Sequence, residues 1–477
     1  MADQTTQLPV QLVFEGVPFD AGAVLHTLRH LAMRVGWRLV RDSPHRLVYA
    51  TRATQEQRAT TPSTAVVVLS DPSVKSHLAR ETKPIPLSPG DLLPFPQHLS
   101  TPRPGCVAAD VIAGAHACMN LWYEQRTRPA ADDGWILYDQ DWMARAGLTD
   151  PKPMADLWLD EIYAAALQIG WPATRPRRHC AVLLSHDVDY LPGRLDLGLP
   201  RLARAIVRHL VHRRRPEDAI RVIGNYAAAL ARRRRPYDEI GFIIAEECRR
   251  DATSSFQFVV AREHAADPTY ASGGLNASIP NEWEACLHGS YGASRARGVV
   301  AAEKKRLETL VEREVIGYRQ HYLNFEPSGL FREVADAGLR YDMSIGYNDR
   351  CGPRAGTYFP YKPYDLDAAK PYGPWEVPFV LMDTTLATSY RLSQGEATVQ
   401  ARKVLEPVVA AGGCVSIIWH QEQCGGLLDP GYDQVYLAIM DSLIADGAAL
   451  SAGMTLLPDW EEAWAATMPE PLELPAA

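Results

Sequence analysis

Four short groups of residues in this chain could together carry out hydrolytic chemistry. Each group follows an apolar run, and each contains acids, histidines or an arginine. The groups are Asp187 and Asp189 in SHDVD, His288 in HGSY, Arg319, His321 and Tyr322 in RQHY, and His420 in IIWH. Carboxylate oxygens and imidazole nitrogens together suit Zn²⁺ or a similar divalent ion, and a catalytic site of this kind keeps one position open for water. A carboxylate outside the ligand set can act as a general base.

The segment 180–190, CAVLLSHDVDY, predicts the strand that would position the two aspartates. Its unbroken apolar run is typical of an interior strand of a parallel sheet. Ligands in such folds bind outside the carboxyl ends of the strands. Because side chains alternate along a strand, Asp187 and Asp189 share one face, and His186 points the opposite way with a structural role.

From residue 241 onward, strand and helix patterns alternate, which indicates parallel β/α units. The predicted strands are 254–261, 284–288, 314–322, 341–347, 375–383 and 413–420, and the helices between them include 299–313, 328–337 and 400–409. With segment 180–190, about seven strands occur over ~280 residues, the scale of a (β/α) barrel. The pattern leaves open whether the barrel is closed with eight strands or partly open.

The chain divides into three predicted parts. Residues 1–105 form a small α/β N-terminal domain that includes a helix at 21–35, and 71–104 is predicted to be a linker or a long connection. Residues 106–177 form a helical connecting segment, with helices at 108–124 and 154–169 and a turn at 132–134. Residues 178–465 form the distorted barrel. The first third contains no chemistry-bearing motif and is interpreted as a structural or partner-recognising module.

A basic insert is predicted at 194–236. Twelve arginines and only three acids occur between residues 194 and 235, and apolar residues recur between them at helical spacing, so two amphipathic helices are expected. The default interpretation is a solvated basic face. The alternative is an electrostatic patch for an anionic substrate, a polyanionic carrier or the membrane surface, with peripheral membrane contact through the insert.

The composition of the chain argues against several classes of function. The chain has 477 residues and a formal net charge of −8, which argues against general nucleic-acid binding. Its eight cysteines lack CxxC spacing and suggest reduced thiols of a cytoplasmic protein. The first residues do not resemble a secretory signal, and no stretch approaches the 18 apolar residues of a membrane span. We therefore expect a cytoplasmic protein with a small-molecule or carbohydrate substrate that could be anionic; the oligomeric state is left undetermined.

The motifs SHDVD, HGSY, RQHY and IIWH, in this order, resemble those of the polysaccharide deacetylase superfamily, the NodB-homology domain or carbohydrate esterase family four. The resemblance covers roughly residues 178 to 460. It implies a distorted (β/α) barrel of about seven strands and metal-dependent hydrolysis of an N-acetyl or related amide. It also implies residue roles: Asp187 as base, Asp189 and His288 as metal ligands, Arg319 orienting the base, the Tyr322 N–H stabilising the oxyanion, and His420 as acid.

Two positions depart from the family pattern. The second motif of the family has two histidines four residues apart, but position 292 is glycine. The third motif normally has proline where this chain has His321. Our hypothesis is that His321 replaces the missing ligand. Trp419 is expected to wall the acyl pocket, and Tyr291 and Trp375 to provide sugar-stacking surfaces. Further candidates for the substrate cleft are Asp342, Asp349, Arg354, Asp383 and Glu422.

The sequence therefore predicts a hydrolase that uses a divalent metal, most simply Zn²⁺, to remove an acetyl or similar acyl group from an amide nitrogen. An intracellular sugar-containing or natural-product substrate is expected. Two alternatives stay open at this point. One is hydrolysis of another, cyclic C–N bond on the same barrel. The other is a catalytically degenerate barrel that binds a glycan or a partner, an idea motivated by Gly292.

Overall fold

The computed structural model describes most of the chain. The described residues are 7–15, 20–51, 65–70, 104–107, 109–122, 124, 137–192, 196–232, 234–268, 270, 279–365 and 368–474. Outside them lie residues 71–103 of the predicted linker, residues 108 and 123 of the predicted helix 108–124, the predicted turn at 132–134, and residues 194, 195 and 233 of the basic insert.

The first sheet is small and parallel. Its strands are β1 Leu8–Glu15, β2 Trp37–Val40, β3 Arg46–Thr51, β4 Ala65–Ser70 and β5 Cys106–Val107, in the order β2-β1-β3-β4-β5. Helix α1, Ala21–Val35, starts where the Asp20 carboxylate accepts a hydrogen bond from the Ala23 N–H. It ends at Gly36, whose φ of 75° favours glycine, and a Cβ there would lie 2.5 Å from the Thr174 carbonyl oxygen. Helices α2 Val111–Met119, α3 Trp142–Arg145 and α4 Met154–Gln168 follow.

The second sheet forms the barrel. Its strands are β6 Ala181–Val188, β7 Ser255–Phe258, β8 Glu284–Gly289, β9 Gly317–Gln320, β10 Tyr341–Asp342, β13 Trp375–Glu376, β14 Phe379–Met382, β15 Cys414–Ile418 and β16 Ala449–Ser451. All are parallel, in the order β13-β10-β9-β8-β7-β6-β15-β14, and β16 pairs with the first residues of β6. Two short strands, β11 Tyr364–Asp365 and β12 Lys370–Pro371, form a separate antiparallel pair.

Helices alternate with these strands along the chain. They are α5 Leu199–Val207, α6 Pro216–Ala231, α7 Ile240–Cys248, α8 Val299–Val311, α9 Pro327–Asp336, α10 Gln394–Ala411, α11 Tyr432–Ala445 and α12 Gly453–Ala466. The predicted alternation of strands and helices is therefore confirmed. Among the described helices, none combines the length and the apolar character that crossing a membrane requires.

The two edges of the second sheet meet at the β13–β14 junction. These strands lie at opposite ends of the strand order, yet only residues 377 and 378 separate them. The three peptide steps from residue 376 to residue 379 span at most about 11 Å, so the sheet must curl. The Ser416 N–H donates to the Pro378 carbonyl at 2.9 Å across this junction. The predicted distorted (β/α) barrel is confirmed, and the predicted single strand at 375–383 is two strands because Pro378 has no N–H to continue a ladder.

The barrel interior changes from apolar to polar along its axis. Buried side chains of the strands, including Leu183, Cys286 and Tyr341, pack with Trp460 and Trp464 of α12 in one apolar cluster. Polar side chains follow on the same strand faces toward the carboxyl ends. The apolar floor excludes water from below, and the polar residues above it form the candidate site.

The first sheet and the barrel share buried contacts. The carboxylate of Asp156 on α4 accepts hydrogen bonds at 2.8 Å from the Thr357 hydroxyl and from the Tyr358 N–H. The same carboxylate lies 3.3 Å from the guanidinium of Arg34 on α1. A continuous apolar cluster includes residues of both sheets. The exact boundaries 105, 177 and 465 stay predictions.

Candidate active site

Asp187 and Arg319 form a buried ion pair inside the barrel. Arg319 Nη1 donates to Asp187 Oδ1 at 2.5 Å, and Nη2 donates to the Ser185 hydroxyl at 2.7 Å. Arg319 Nε donates to the Met343 carbonyl at 3.1 Å. Burial opposes ionisation of Asp187, but Arg319 and then His288 and His420 outweigh it and hold the pKa of Asp187 well below its usual range.

Asp189, His288 and His321 come together at the mouth of the barrel. Asp189 Oδ1 lies 3.6 Å from Nε2 of His288 and 3.6 Å from Nε2 of His321. One ligand atom from each residue lies within 4.8 Å of the other two. Asp189 directly follows β6, His288 is the second-last residue of β8, and His321 directly follows β9. The parallel register therefore places the three residues at one edge of the sheet.

Hydrogen bonds orient both imidazoles. Nδ1 of His288 lies 3.0 Å from the Arg319 carbonyl oxygen, and Nδ1 of His321 lies 3.1 Å from Asp267 Oδ1. Because a carbonyl or an ionised carboxylate only accepts, each Nδ1 carries a proton, and in the neutral imidazole the lone pair is then on Nε2. Burial is the largest influence on His288 and lowers its pKa, which favours the neutral, ligating form.

These three residues fit a divalent metal ion. Asp189 Oδ1 is buried and accepts no hydrogen bond from the described part of the chain, although a buried carboxylate oxygen normally has a partner. Two imidazole lone pairs lie near it. A carboxylate with two imidazoles is a common catalytic zinc set, with a further position for water, and other divalent ions accept the same donors.

His420 and Asp383 form a second oriented pair beside the triad. His420 Nδ1 donates to Asp383 Oδ1 at 2.7 Å, and the His420 N–H donates to Asp383 Oδ2 at 2.9 Å. His420 Nε2 lies 3.5 Å from Asp189 Oδ2. Burial would lower the pKa of His420, but Asp383, with Asp189 and Asp187, raises it to about 10. The protonated form of His420 is therefore favoured at neutral pH.

Two tyrosines lie at the mouth of the site. Tyr322 has a φ of 57°, in the left-handed region that a residue with a Cβ adopts at a cost of about 1–3 kcal/mol. Asn348 Nδ2 donates to its carbonyl at 3.2 Å. The rings of Tyr291 and Tyr322 are 5.8 Å apart, and Tyr322 is exposed. That Tyr291 contacts the substrate stays a prediction.

The two predicted tryptophans are placed differently. Trp419 is fully buried and packs against Tyr432 and Tyr436 of α11, on the face of its strand opposite to His420. Trp375 lies in the apolar floor, 6.1 Å from the ring of Trp460. Neither side chain faces the mouth. The expectation that they line a pocket or stack on sugar is therefore corrected to packing, because alternation along β15 and the position of β13 turn them into the core.

The structure separates His186 from the acids that flank it. Its Nδ1 lies 2.8 Å from the Trp419 carbonyl oxygen and its Nε2 lies 2.9 Å from Glu247 of α7. Tyr436 also donates to Glu247, at 2.7 Å. His186 thus joins β6 to the helices outside the barrel.

Asp267 and Asp383 are the orienting acids of the site, and sequence reasoning did not assign them that role. The sequence suggested Asp383 only as a residue of the substrate cleft. No sequence pattern indicated a functional role for Asp267, because it lies in an irregular segment after β7. Asp267 also accepts hydrogen bonds from the backbone N–H groups of Glu263, His264 and Tyr291. Burial would raise the pKa of Asp267, but His321 and the N–H groups of Tyr291 and His264 hold it below its usual range.

Comparisons with known proteins give one distant structural likeness to report. No family model matches the chain, and no curated protein matches it. Among the solved structures that match is one described as the crystal structure of a "putative polysaccharide deacetylase from Mycobacterium smegmatis". It is 16% identical, has a TM-score of 0.38, and the match covers 65% of this chain and 97% of that chain. The functional interpretation therefore rests on the distances and hydrogen bonds within the site.

Proposed function

We propose that this chain is a metal-dependent hydrolase that removes an acetyl or similar acyl group from an amide nitrogen. The observation that supports this most is the approach of Asp189, His288 and His321 to one point beside an ionised Asp187 and a protonated His420. Amide hydrolysis needs a base to take a proton from water and an acid to give one to the leaving nitrogen. Both protonation states are those the site favours at neutral pH.

The proposed metal site consists of Asp189, His288 and His321. A divalent ion held there would lower the pKa of a bound water and polarise the substrate carbonyl. Asp189 and the two imidazoles supply the donors, while Asp267 and the Arg319 carbonyl keep the imidazoles in the ligating tautomer.

Asp187 and His420 divide the proton transfers. Asp187 takes a proton as the water oxygen bonds to the carbonyl carbon. His420 Nε2 then donates its proton to the nitrogen as the C–N bond breaks, which leaves a carboxylic acid and an amine. Arg319 keeps Asp187 charged and aligned, and Asp383 keeps His420 protonated. The backbone N–H of Tyr322 would stabilise the oxyanion, a contribution of about 3 kcal/mol for one such donor.

Gly292 does not weaken this proposal. A Cβ built at Gly292 meets nothing within 4 Å, so the glycine is not required by packing there. Asp189, His288 and His321 supply three donors without any side chain at 292. Loss of the usual second histidine is thus compatible with metal binding, which favours an enzyme over a degenerate binding barrel.

The proposal is tested by adding divalent metal to the full chain and measuring acetate and free amine released from a panel of N-acetylated amino sugars. We expect Asp187→Asn to lower kcat by on the order of 1000-fold, as for loss of a general base, with bound metal retained. The matched control is Asp139→Asn, which changes an exposed aspartate that is not part of the candidate site. Absence of acetate release by the metal-loaded protein, or full activity of Asp187→Asn, would overturn the proposal.

A further inference from the structure

The basic insert exposes an unusual concentration of large apolar side chains. Sixteen large apolar residues are exposed among the described residues, and eight of them lie between positions 197 and 230. They are Leu197, Leu199, Val207, Leu210, Val211, Ile220, Ile223 and Leu230. Val211 is 62% exposed and Ile220 is 70% exposed. Clusters of this kind on a protein surface mark a contact site more often than a bare solvent face.

Most of these exposed apolar side chains lie beside or opposite the faces that the two helices bury. Helix α6 already buries Ala219, Val222 and Tyr226 against the protein. Ile220 points about 100° away from Ala219 and lies on the exposed side of the helix, whereas Ile223 and Leu230 are exposed along the border of the buried face. Helix α5, which continues as a π-helical turn through residue 212, likewise buries Ala205 and His209. Leu199, Val207 and Leu210 are exposed along its other side.

The arginines of the insert divide into two groups. One group attaches the insert to the barrel: Arg201 donates to Glu422, Arg208 to the Leu428 carbonyl, and Arg213 to Asp429. The other group is exposed in the same segment and consists of Arg204, Arg214, Arg221, Arg232 and Arg235. Arg215 and Arg234 also have partners, the Arg391 carbonyl and Glu239. Of the second group, Arg221 has Asp218 at 3.6 Å. The basic stretch is therefore partly an anchor and partly a positive surface in a segment that also exposes apolar side chains.

We propose that this helical insert docks on an anionic lipid bilayer. Helices that expose large apolar side chains flanked by arginines suit the interface of such a bilayer, where the apolar side chains enter the headgroup boundary and the guanidinium groups pair with lipid phosphates. A helix face exposed only to water would explain the exposed arginines, but it would not explain the exposed apolar side chains. A second copy of the chain would bring two positive surfaces together, so charge complementarity favours the anionic lipid.

The insert begins at the rim of the candidate active site. The guanidinium of Arg201 on α5 lies 4.0 Å from the ring centroid of Tyr190, the residue after Asp189. Arg201 Nη1 also donates to Glu422, two residues after His420, at 2.5 Å. A docked insert would hold this rim next to the bilayer. The docking itself does not depend on the proposed hydrolase activity.

The test is flotation of the full chain with vesicles of phosphatidylcholine alone or mixed with phosphatidylglycerol. We expect binding to the mixed vesicles only, weakening with added salt because exposed charges are screened beyond about 10 Å at 0.1 M. The pair Arg214→Ser and Arg232→Ser should lower partitioning about 30-fold, since each arginine contributes about 1 kcal/mol near an anionic surface. The matched control pair is Arg38→Ser and Arg402→Ser, both exposed elsewhere.

Apolar substitutions test the other half of the proposal. Val211→Ser with Ile220→Ser should reduce flotation, whereas Leu157→Ser with Val399→Ser, exposed on other helices, should not. A urea melt of each variant checks that the fold is retained. Equal binding to both vesicle types, no binding, or undiminished binding of the Val211 and Ile220 variant would overturn the proposal. So would a dimer in solution that this variant dissociates, since the occupant would then be a second copy.

Discussion

Asp187 Oδ1 accepts a 2.5 Å hydrogen bond from Arg319 Nη1, although 132 residues separate the two in the chain. Arg319 is fully buried, and Ser185 on β6 and Met343 beyond β10 receive its other donors. The guanidinium therefore has one orientation, set by three neighbouring parts of the barrel. This contact joins the candidate base to the scaffold that keeps it ionised.

Arg319→Lys tests that contact. Lysine keeps the charge but cannot make the same fork of hydrogen bonds. We expect kcat to fall by on the order of 10- to 100-fold, the equivalent of one charged hydrogen bond, with metal content unchanged. The acid limb of the pH–rate profile should move to higher pH, because a weaker partner lets the pKa of Asp187 rise. Arg295→Lys, at an exposed position, is the control, and an unchanged acid limb would contradict the assigned role.

His321→Ala tests the third ligand. Metal bound per chain, measured by elemental mass spectrometry, should fall from near stoichiometric to far below it, because one of three protein donors is lost. His179→Ala removes an exposed histidine and should leave the metal content unchanged. If His321→Ala holds metal as tightly as the parent, His321 is not a ligand.

Asp267→Asn tests the residue that orients His321. Replacing an acid that accepts from a ligating imidazole typically weakens metal affinity by about 10- to 100-fold. The dissociation constant is measured by competition with a chelator, and Asp42→Asn at an exposed position serves as the control. An unchanged constant, in a variant with an unchanged urea midpoint, would assign Asp267 to loop structure alone.

Asp383→Asn tests the protonation of His420. Asp383 is the largest influence that raises the pKa of His420, which reaches about 10 against the lowering effect of burial. A raised pKa means that the acid form is present below about 10 and is lost as the pH rises through that value. Removing the Asp383 charge should move the alkaline limb of kcat to lower pH. A profile with the same alkaline limb as the parent would exclude His420 as the titrating acid.

Asp156→Ala tests the contact between the first sheet and the barrel. We expect the free energy of unfolding to fall by about 2 kcal/mol, because the Thr357 hydroxyl and the Tyr358 N–H lose their buried acceptor. Arg34 keeps Asp160 at 2.9 Å as a second partner. Burial would raise the pKa of Asp156, but Arg34 and His30 hold it below 3.8. The parent should therefore keep this contribution above pH 3.8 and lose it as the pH falls through the lower folded value. Urea melts against pH measure both effects, and a variant as stable as the parent at neutral pH would contradict them.

Much of the barrel and of its polar rim could be predicted from local patterns. An apolar run that ends in two acids at alternate positions indicates a buried strand with Asp187 and Asp189 on one face, because strand periodicity is two. Recurring β/α units require parallel strands, so the residues that end each strand meet at one edge of the sheet. These rules predicted the confirmed fold class and placed the candidate residues at a common end.

Only the tertiary structure decided which of those residues touch. The curl of the sheet and its register bring His321 to Asp189 and supply Asp267 from an irregular segment that has no pattern of its own. The junction at residues 376–379 and the packing of α11 and α12 turn Trp375 and Trp419 into the core. Spacing along the α5–α6 insert predicted amphipathic helices, but it could not tell which of their apolar residues are exposed and which are buried. Periodicity determines the face a side chain shares with its neighbours in the chain, whereas contact between distant residues depends on how the whole sheet closes.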